Sequence, residues 1–537
     1  MSARSYDPVF IGEEPARAPM LAAHVGSKAA ELARIAALGL PTPPAFVLPT
    51  PLCAGVIAGD ADALKAMRKG LTSGIAWLEA TTERKLGDAR TPLFVSVRSG
   101  AEKSMPGMLD TILDVGMNKT AAHGFIRASG NPRLAFDSYR RFLQSFAEVV
   151  GGAPAAPFDQ ALAQALAAEG ATVESELDSE VLERLCARFL EISEAQRVAP
   201  PQDPLEQLDA AARAVFLSWE SARAKEYRRL NGFESLAGTA VTVQAMAFGN
   251  AGGNSGAGVA FSRDPATGEK ALYVDFLSEA QGEDVVSGRR TPGDAALLAR
   301  RLPNAAQQLA EAARKLEAAC RDVQDIEFTI ERGRLFLLQT RAAKRTPRAA
   351  LKIAVDLVNE GVIDPAEAVR RLADIDIEAA GASRFATPAP AVAVATVASP
   401  GVACGRVAFT SEAAARIAAN GDPAILTRGD TSTDDVAGFA VASGILTAIG
   451  GRTSHAAVVA RQMGKVCLVG CRTLVLPERG AASLDGQPLN EGDWIALDGA
   501  SGEISLARRE IIVVRPEEAG IVEAWRAAAE APSRSQV

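Results

Sequence analysis

The chain has 537 residues, more than one hydrophobic core usually supports, so about two to four domains are expected. With 48% hydrophobic and 23% charged residues it reads as an ordinary globular protein, not a disordered one. A net charge of −8 and an aromatic content of 5% exclude general attraction to nucleic acid or anionic membrane, and stacking platforms for single strands.

Residues 1–8 lack an apolar leader, and the Ala/Val-rich stretch 386–402 is broken by Pro388, Pro390 and Pro400. Neither a secretory signal nor a membrane span is expected, and the cytoplasm is the expected location. Six scattered cysteines and three histidines cannot assemble a zinc cluster at recognised spacing, so buried reduced thiols are expected.

In chain order, residues 27–38 carry a short helical pattern closed by Gly39, with Pro41 and Pro43 beyond it. A strand starts at 46–48. Residues 92–98 read as a second strand, Val95 and Val97 on one face and Ser96 and Arg98 on the other, followed by a Ser, Pro and Gly loop over 99–107. From 131 to 202 the pattern is helical, and Tyr139, Phe142, Leu143, Phe146, Val149 and Val150 share one face. A helix over 204–230 precedes strands over 240–248 and 258–261, joined by a Gly-rich turn at 249–258. A helical stretch, 294–321, leads into a hairpin over 325–341. Residues 344–380 look like a helical connector and 381–400 like a linker. Strands over 402–410, 424–427, 441–448, 466–469 and 494–498, with a helix over 456–463, then form a compact α/β module of about 110 residues. Residues 507–537 read as a polar tail with one helical stretch.

Chemistry concentrates at a few positions. Lys28 stands in the first turn of its helix, where a cation opposes the dipole at a cost of roughly 0.3–1 kcal/mol unless an anion is shared. It is either a phosphate contact or a solvated lysine. Arg98 opens the loop that holds Ser104 and Gly107. Small residues there let backbone N–H groups approach an oxyanion while Arg supplies a fork of donors; a plain surface turn is the other reading. The Gly-rich turn contains G-N-S-G-A-G but lies between strands and opens no helix. The dinucleotide fingerprint therefore fails, leaving a flap over phosphates or a simple hairpin turn.

In the hairpin, Asp325, Glu327 and Glu331 share one face of the first strand, and Ile326, Phe328 and Ile330 the other. On the return strand Leu337, Gln339 and Arg341 alternate with Phe336, Leu338 and Thr340. A register pairing Glu327 with Gln339 and Asp325 with Arg341 joins the apolar faces and needs a three-residue loop, Arg332-Gly333-Arg334. The expected product is a polar patch of Asp325, Glu327, Gln339 and Arg341, an oxygen-rich set of the kind Mg²⁺ takes together with substrate phosphates. The alternative is an exposed edge of solvated charges.

His455 follows an apolar run, 443–449, and the Gly450-Gly451 pair, and stands where a helix begins. A helix N-terminus suits a bound phosphate and opposes imidazolium, so a neutral, nucleophilic histidine is expected; a structural histidine beside a tight turn is the other reading.

Six stretches carry a resemblance over nearly the whole chain. They are S-V-R-S-G-A-x-x-S-M-P-G-M-x-D-T-I-L (96–113), P-Q-D-P-x-E-Q-L (201–208) and A-Q-G-E-D-V-V (280–286). To these add Q-D-I-E-F-T-I-E (324–331), L-L-Q-T-R (337–341) and G-G-x-T-S-H-A-A-V-V-A-R (450–461). In this order they make the chain resemble the pyruvate phosphate dikinase family. The resemblance implies an α/β and α+β multidomain protein. Its parts would be an ATP-grasp-like nucleotide-binding domain over 1–343 with a helical insertion at about 115–235, and a helical linker over 344–390. A swivelling phosphohistidine α/β domain over 391–508 and a tail over 509–537 would follow.

It further implies an ATP-dependent phosphotransferase. His455 would attack ATP bound with Mg²⁺, take its β- and γ-phosphates and release AMP; inorganic phosphate would then accept the γ-phosphoryl group as pyrophosphate. Lys28, Arg98, Ser104 and Gly107 would hold nucleotide and phosphates. Asp325, Glu327 and Gln339 would serve nucleotide and metal, with Glu327 and Gln339 as metal ligands, and Arg341 would assist charge. Thr453 matches a threonine whose phosphorylation silences some members.

Three departures stand out. Val25-Gly26-Ser27 replaces the usual Gly-Gly before the lysine. Arg452 stands where Met is common and is similar to related phosphoenolpyruvate synthases, leaving phosphate or water open as the second acceptor. The family's barrel for pyruvate and phosphoenolpyruvate has no counterpart here, which implies an acceptor site on a separate polypeptide. A different small-molecule or protein acceptor, or a non-catalytic nucleotide-binding regulator, are the alternatives.

Overall fold

The computed structural model describes residues 6–12, 20–103, 105, 108–286, 292–377, 382–430, 435–451, 454–476 and 481–530. Contacts divide the chain into two compact units, Met1–Ser255 with Thr329–Thr340 and Gly256–Phe328 with Arg341–Val537, so residues 1–343 contribute to both.

In the first unit, helix α1 (Ser27–Ala37) starts at Gly26 and buries Ala29, Leu32, Ala33 and Ile35. Strands β1 (Val95–Ala101) and β2 (Thr239–Ala245) sit inside an antiparallel five-stranded sheet ordered Val9–Ile11, Ala45–Leu48, β2, β1, Thr111–Val115. Strand alternation sends Ala45, Val47 and Ala240 to the α1 side. Phe46, Leu48, Val241 and Val243 go to the other side, against Met67, Leu71, Leu208 and Ala211 of two long helices. With both faces covered, all seven residues of β2 are buried.

Helix Pro132–Val149 has Pro132 in its first turn and Asn131 as cap, the Asn131 side chain accepting from the Leu134 N–H. Its expected apolar stripe is buried at Tyr139, Phe142, Leu143 and Phe146, while Val149 and Val150 at the helix end are only half-buried. Periodicity did not announce the buried charges beside it. Asp137 accepts from Arg140 at 2.8 Å, Arg141 at 3.2 Å and Asn250 Nδ2 at 3.2 Å.

The second unit contains β3 (Gly256–Phe261), β4 (Tyr273–Ser278) and most of β5 (Gln324–Glu331); with β6 (Arg334–Ala342) they form a sheet ordered β6-β5-β3-β4. The expected helix over 294–321 is two helices, Ala295–Arg301 and Pro303–Cys320, because a mid-helix proline lacks an N–H and is tolerated only in a first turn. Arg263, fully buried after β3, donates to Glu317 and Glu360. That clamp ties helix Pro303–Cys320 to α2 (Pro347–Asn359).

Beyond α2 and α3 (Pro365–Arg371) lies the eight-stranded sheet. Its order is Ala393–Val394, Glu503–Ser505, Trp494–Asp498, Val402–Ala408, Ala424–Arg428, β7 (Gly444–Thr447), Val466–Val469, Thr396–Ser399. Helix α4 (His455–Gln462) connects β7 to Val466–Val469, its parallel neighbour. The expected linker over 381–400 instead contains strands, the last of them on the edge of this sheet beside Val466–Val469. The expected polar tail contributes strand Ile511–Val514, paired antiparallel with Ala382–Phe385, and helix α5 (Glu517–Glu530). Ala519 and Val522 of α5 are buried in one cluster with α2 and α3 residues. These segments are too short for periodicity to be read in sequence, and tertiary pairing decides them.

None of the six cysteines forms a disulfide; five are buried, as expected, and Cys320 is half-buried. Among the described residues no helix is long and apolar enough to cross a membrane.

Burial alone would push the Asp137 carboxyl up, but Arg141 and Arg140 hold it well below the usual carboxylate range. A depressed folded value contributes stability present above the unfolded pKa and lost as pH falls toward the folded one. Asp137→Asn should therefore lose about 3–5 kcal/mol at neutral pH. Its urea midpoint should also move less than that of the wild type between about pH 5 and pH 3; equal acid sensitivity of the two proteins would contradict the assignment.

Candidate functional site

Gly26 has φ +80° and caps α1 without a side chain. A Cβ there would lie 2.0 Å from the Gly100 carbonyl oxygen, so only glycine lets the start of α1 press on the end of β1. Ser27 Oγ secures the contact by donating to the Ala101 carbonyl at 3.0 Å. Lys28 is half-buried in the first turn, which contains no acidic residue. Arg98 lies on β1 in register with Thr242 of β2 and with Thr111. A helix start with Lys28, next to the strand that carries Arg98, is the chemistry of an anion site.

One part of the loop expectation is corrected. Strand β1 continues through Ser99, Gly100 and Ala101, paired with Val241, Ala240 and Thr239, and the Gly100 N–H donates to Thr239 Oγ1 at 3.0 Å, so these three residues belong to the sheet and not to a loop. Ser104 and Gly107 lie outside the described residues, as does Thr453.

The Gly-rich turn joins β2 to β3, which belong to different sheets, so it is no hairpin. Its Asn254 carbonyl accepts the Gly333 N–H at 2.7 Å, and Ser255 Oγ accepts the Arg332 N–H at 2.9 Å. Those bonds reach the β5–β6 turn, which has two residues, Arg332 and Gly333, at φ +51° and +83°. This is the two-residue type I′ geometry that matches strand twist, not the expected three-residue loop. Glu331 closes the turn, and its Oε2 accepts the Phe248 N–H at 3.1 Å.

At the hairpin's open end the Ala343 N–H donates to the Val323 carbonyl, and Arg341 Nε donates to Asp325 Oδ2 at 2.8 Å. Residue 325 therefore stands opposite 341, as expected, while the turn places 331 opposite 334. The two ends differ by one residue, the insertion a β-bulge makes, so the expected uniform register is replaced by a shifted one.

Asp325, Glu327 and Arg341 come together in the second unit. Asp325 is 5% exposed, and its Oδ1 accepts no hydrogen bond among the described residues. Burial raises the Asp325 carboxyl, Arg341 pulls it back, and the half-buried Glu327 carboxylate adds repulsion. Burial and the neighbouring Arg341 lower the Lys344 ammonium. Gln339 is buried on β6, in the first unit. The carboxylate oxygens of Asp325 and Glu327, one of them buried without a donor, fit a hard divalent cation that shares phosphate ligands. Among the described residues no three His, Cys, Asp or Glu side chains form a ready-made metal cage. An ion that keeps phosphate and water ligands needs none.

His455 is the first residue of α4, after the cap Ser454, whose side chain accepts from the Ala457 N–H at 3.4 Å. The His455 side chain lies outside the described part of the structure. Its glycine lead-in reaches β4: a Cβ on Gly451 would lie 2.3 Å from Pro292 and 3.5 Å from Asp275 Oδ2. Asp275, Lys344 and Arg461 are the polar residues that sequence reading gave no role. Asp275 had a signal, since it is the only charge in the strand Y-V-D-F-L-S. Arg461 stood at the end of a quoted motif. Lys344 had none.

Two family profiles match the chain. One, described as "Pyruvate phosphate dikinase, AMP/ATP-binding domain", covers residues 63–303 and 299–361; the other, "PEP-utilising enzyme, mobile domain", covers 420–502. The chain is 44% identical over 492 residues to pyruvate, phosphate dikinase of Clostridium symbiosum, covering 89% of this chain and 56% of the relative. It is 43% identical over 497 residues to pyruvate, phosphate dikinase 2 of Zea mays, covering 91% and 56%. Against the chloroplastic pyruvate, phosphate dikinase 1 of Arabidopsis thaliana it is 42% identical over 493 residues, covering 91% and 51%. The chain thus spans about half the length of these curated relatives.

A side chain at Gly26 must displace Gly100 backbone and with it the Lys28 end of α1. Gly26→Ala should cost roughly 1–3 kcal/mol of stability and weaken MgATP binding, measured by calorimetry, by about tenfold. Unaltered MgATP affinity would remove this helix start from the phosphate site.

Proposed function

The chain belongs to the pyruvate phosphate dikinase family, and we propose that it performs the ATP-dependent half of that chemistry, loading a phosphoryl group onto His455. The observation that carries the reading is structural. The glycine lead-in to His455 lies against Asp275, in the same compact unit as the Asp325–Arg341 pair.

On this reading residues 1–343 are the nucleotide-binding domain, 344–390 the linker, 391–508 the phosphohistidine domain and 509–537 a tail. His455, at the start of α4, attacks the β-phosphorus of ATP. A nitrogen–phosphorus bond forms as the bond to the α-phosphate oxygen breaks, and AMP leaves with that electron pair. Inorganic phosphate then takes the γ-phosphoryl group as pyrophosphate, leaving phosphohistidine. Lys28 and Arg98, with Ser104 and Gly107, hold the phosphates. Glu327 and Gln339, beside Asp325, would hold Mg²⁺, which when bound neutralises phosphate charge. Arg341 orients Asp325 and opposes charge that develops on the phosphates. Such catalysis is mainly positioning and electrostatic stabilisation. Thr453 is a candidate control point two residues before His455, and a cytoplasmic location belongs to the same proposal.

On this reading the acceptor, pyruvate or another molecule, binds on a separate polypeptide. The relatives carry their remaining length on the same chain as the matched part, which lends no support to a separate barrel polypeptide; adding a barrel protein and pyruvate to the loaded chain tests that arrangement directly.

With Mg²⁺ and ATP labelled in the β-phosphate, an acid-labile label should appear on the wild type with release of AMP, and His455→Ala should carry none. Glu327→Ala should load about a hundredfold more slowly. Nucleotide binding without any label would leave only a regulator. Pyrophosphate that forms only when inorganic phosphate is present marks the dikinase route; release of the γ-phosphoryl group as inorganic phosphate, with water as its acceptor, marks the synthase-like one.

A further inference from the structure

Arg461 lies near the end of the eight-residue helix that His455 opens, and it is 2% exposed. Its Nη1 donates to the carbonyl of Ala398, on the edge strand of the eight-stranded sheet, at 2.9 Å. Its guanidinium carbon is 6.0 Å from the centre of the Phe261 ring at the end of β3, within cation–π range. Burial pulls the guanidinium down. The acidic groups that oppose this are the Cys467 thiol of its own module and the carboxylates of Asp275 on β4, Asp325 on β5 and Asp264 after β3. A buried cation of the histidine-bearing module thus has its carboxylate counter-charges on the sheet β3–β5, inside one compact unit. The other end of α4 reaches β4 as well, through Gly451 beside Asp275.

A buried ion pair gains little over its solvated partners, because desolvation offsets attraction, yet losing one partner of a formed pair is expensive. Such a contact selects a position without locking it, and suits a module that must dock and leave.

We propose that Arg461 is a positioning residue that seats the histidine-bearing module on the β3–β5 sheet, its guanidinium set between the Ala398 carbonyl and the Phe261 ring. The inference rests on the loading of His455 from ATP. Loading rate then depends on Arg461 even though Arg461 does no chemistry.

In single-turnover loading from β-labelled ATP, Arg461→Met and Asp275→Asn should each slow labelling about 30-fold or more. The double variant should be no slower than the slower single one. Arg461→Lys should recover part of the rate, and MgATP affinity of Arg461→Met should be unchanged. Phosphoramidate phosphorylates histidine without a docked nucleotide site, so it should label His455 in Arg461→Met at the wild-type rate. No label on the wild type from ATP would sink the loading reading and this inference with it. A wild type that labels, with Arg461→Met equally fast, would sink the inference alone. Losses that multiply in the double variant, or an equal loss with phosphoramidate, would also overturn it, leaving Arg461 as a prop for its own module through Ala398.

Discussion

The Arg341–Asp325 pair is the contact on which the site depends. It closes the open end of the β5–β6 hairpin and leaves one Asp325 oxygen buried without a donor among the described residues. A carboxylate in that position is costly unless a cation completes it. Glu327 sharpens that need, and Lys344 and Arg461 bring positive charge to answer it.

A second buried guanidinium, Arg263, does the opposite work. All its bonds go to Glu317 and Glu360, so it asks nothing of a ligand and fixes the base of α2 to the helix Pro303–Cys320. From that base the chain enters the eight-stranded module and returns beside its point of entry, Ala382–Phe385 pairing with Ile511–Val514. Arg526 of α5 then donates to the carbonyls of Leu372 and Ile375. Entry and exit share one footing. The module is tethered as a unit, and its position depends on weak contacts such as Arg461.

Much of this was legible in sequence because it rests on local rules. The limits of α1 followed from Gly39 and the prolines beyond it, and the strand–glycine–helix junction at His455 followed from one apolar run and a glycine pair. Asp325 could be paired with Arg341 from alternation alone. What escaped was set by partners distant in sequence. The Gly-rich turn looked like a hairpin because its ties to Arg332 and Gly333 are invisible locally. The same ties accompany the two-residue turn, and with it the shifted register. Residues 381–400 looked like a linker because prolines interrupt strands whose partners come from residues 466–469 and 503–514. Gly26 read as a modest loss of loop freedom beside the usual Gly-Gly, yet its approach to Gly100 makes it the one glycine that junction requires.

Buried charges sort into two kinds here, and the sorting separates scaffold from site. Asp137 is held by Arg140, Arg141 and Asn250, and Arg263 by Glu317 and Glu360; both oxygens of Asp137 and all three nitrogens of the Arg263 guanidinium have partners inside the protein. Such groups specify packing and have no valence left for a ligand. Asp325 is matched on one oxygen only. An oxygen left open beside Glu327 suits something that comes and goes. A metal-bound nucleotide and a docking arginine both come and go, and both bring positive charge to the same carboxylate. Loading of His455 and seating of its module would then meet at one buried carboxylate.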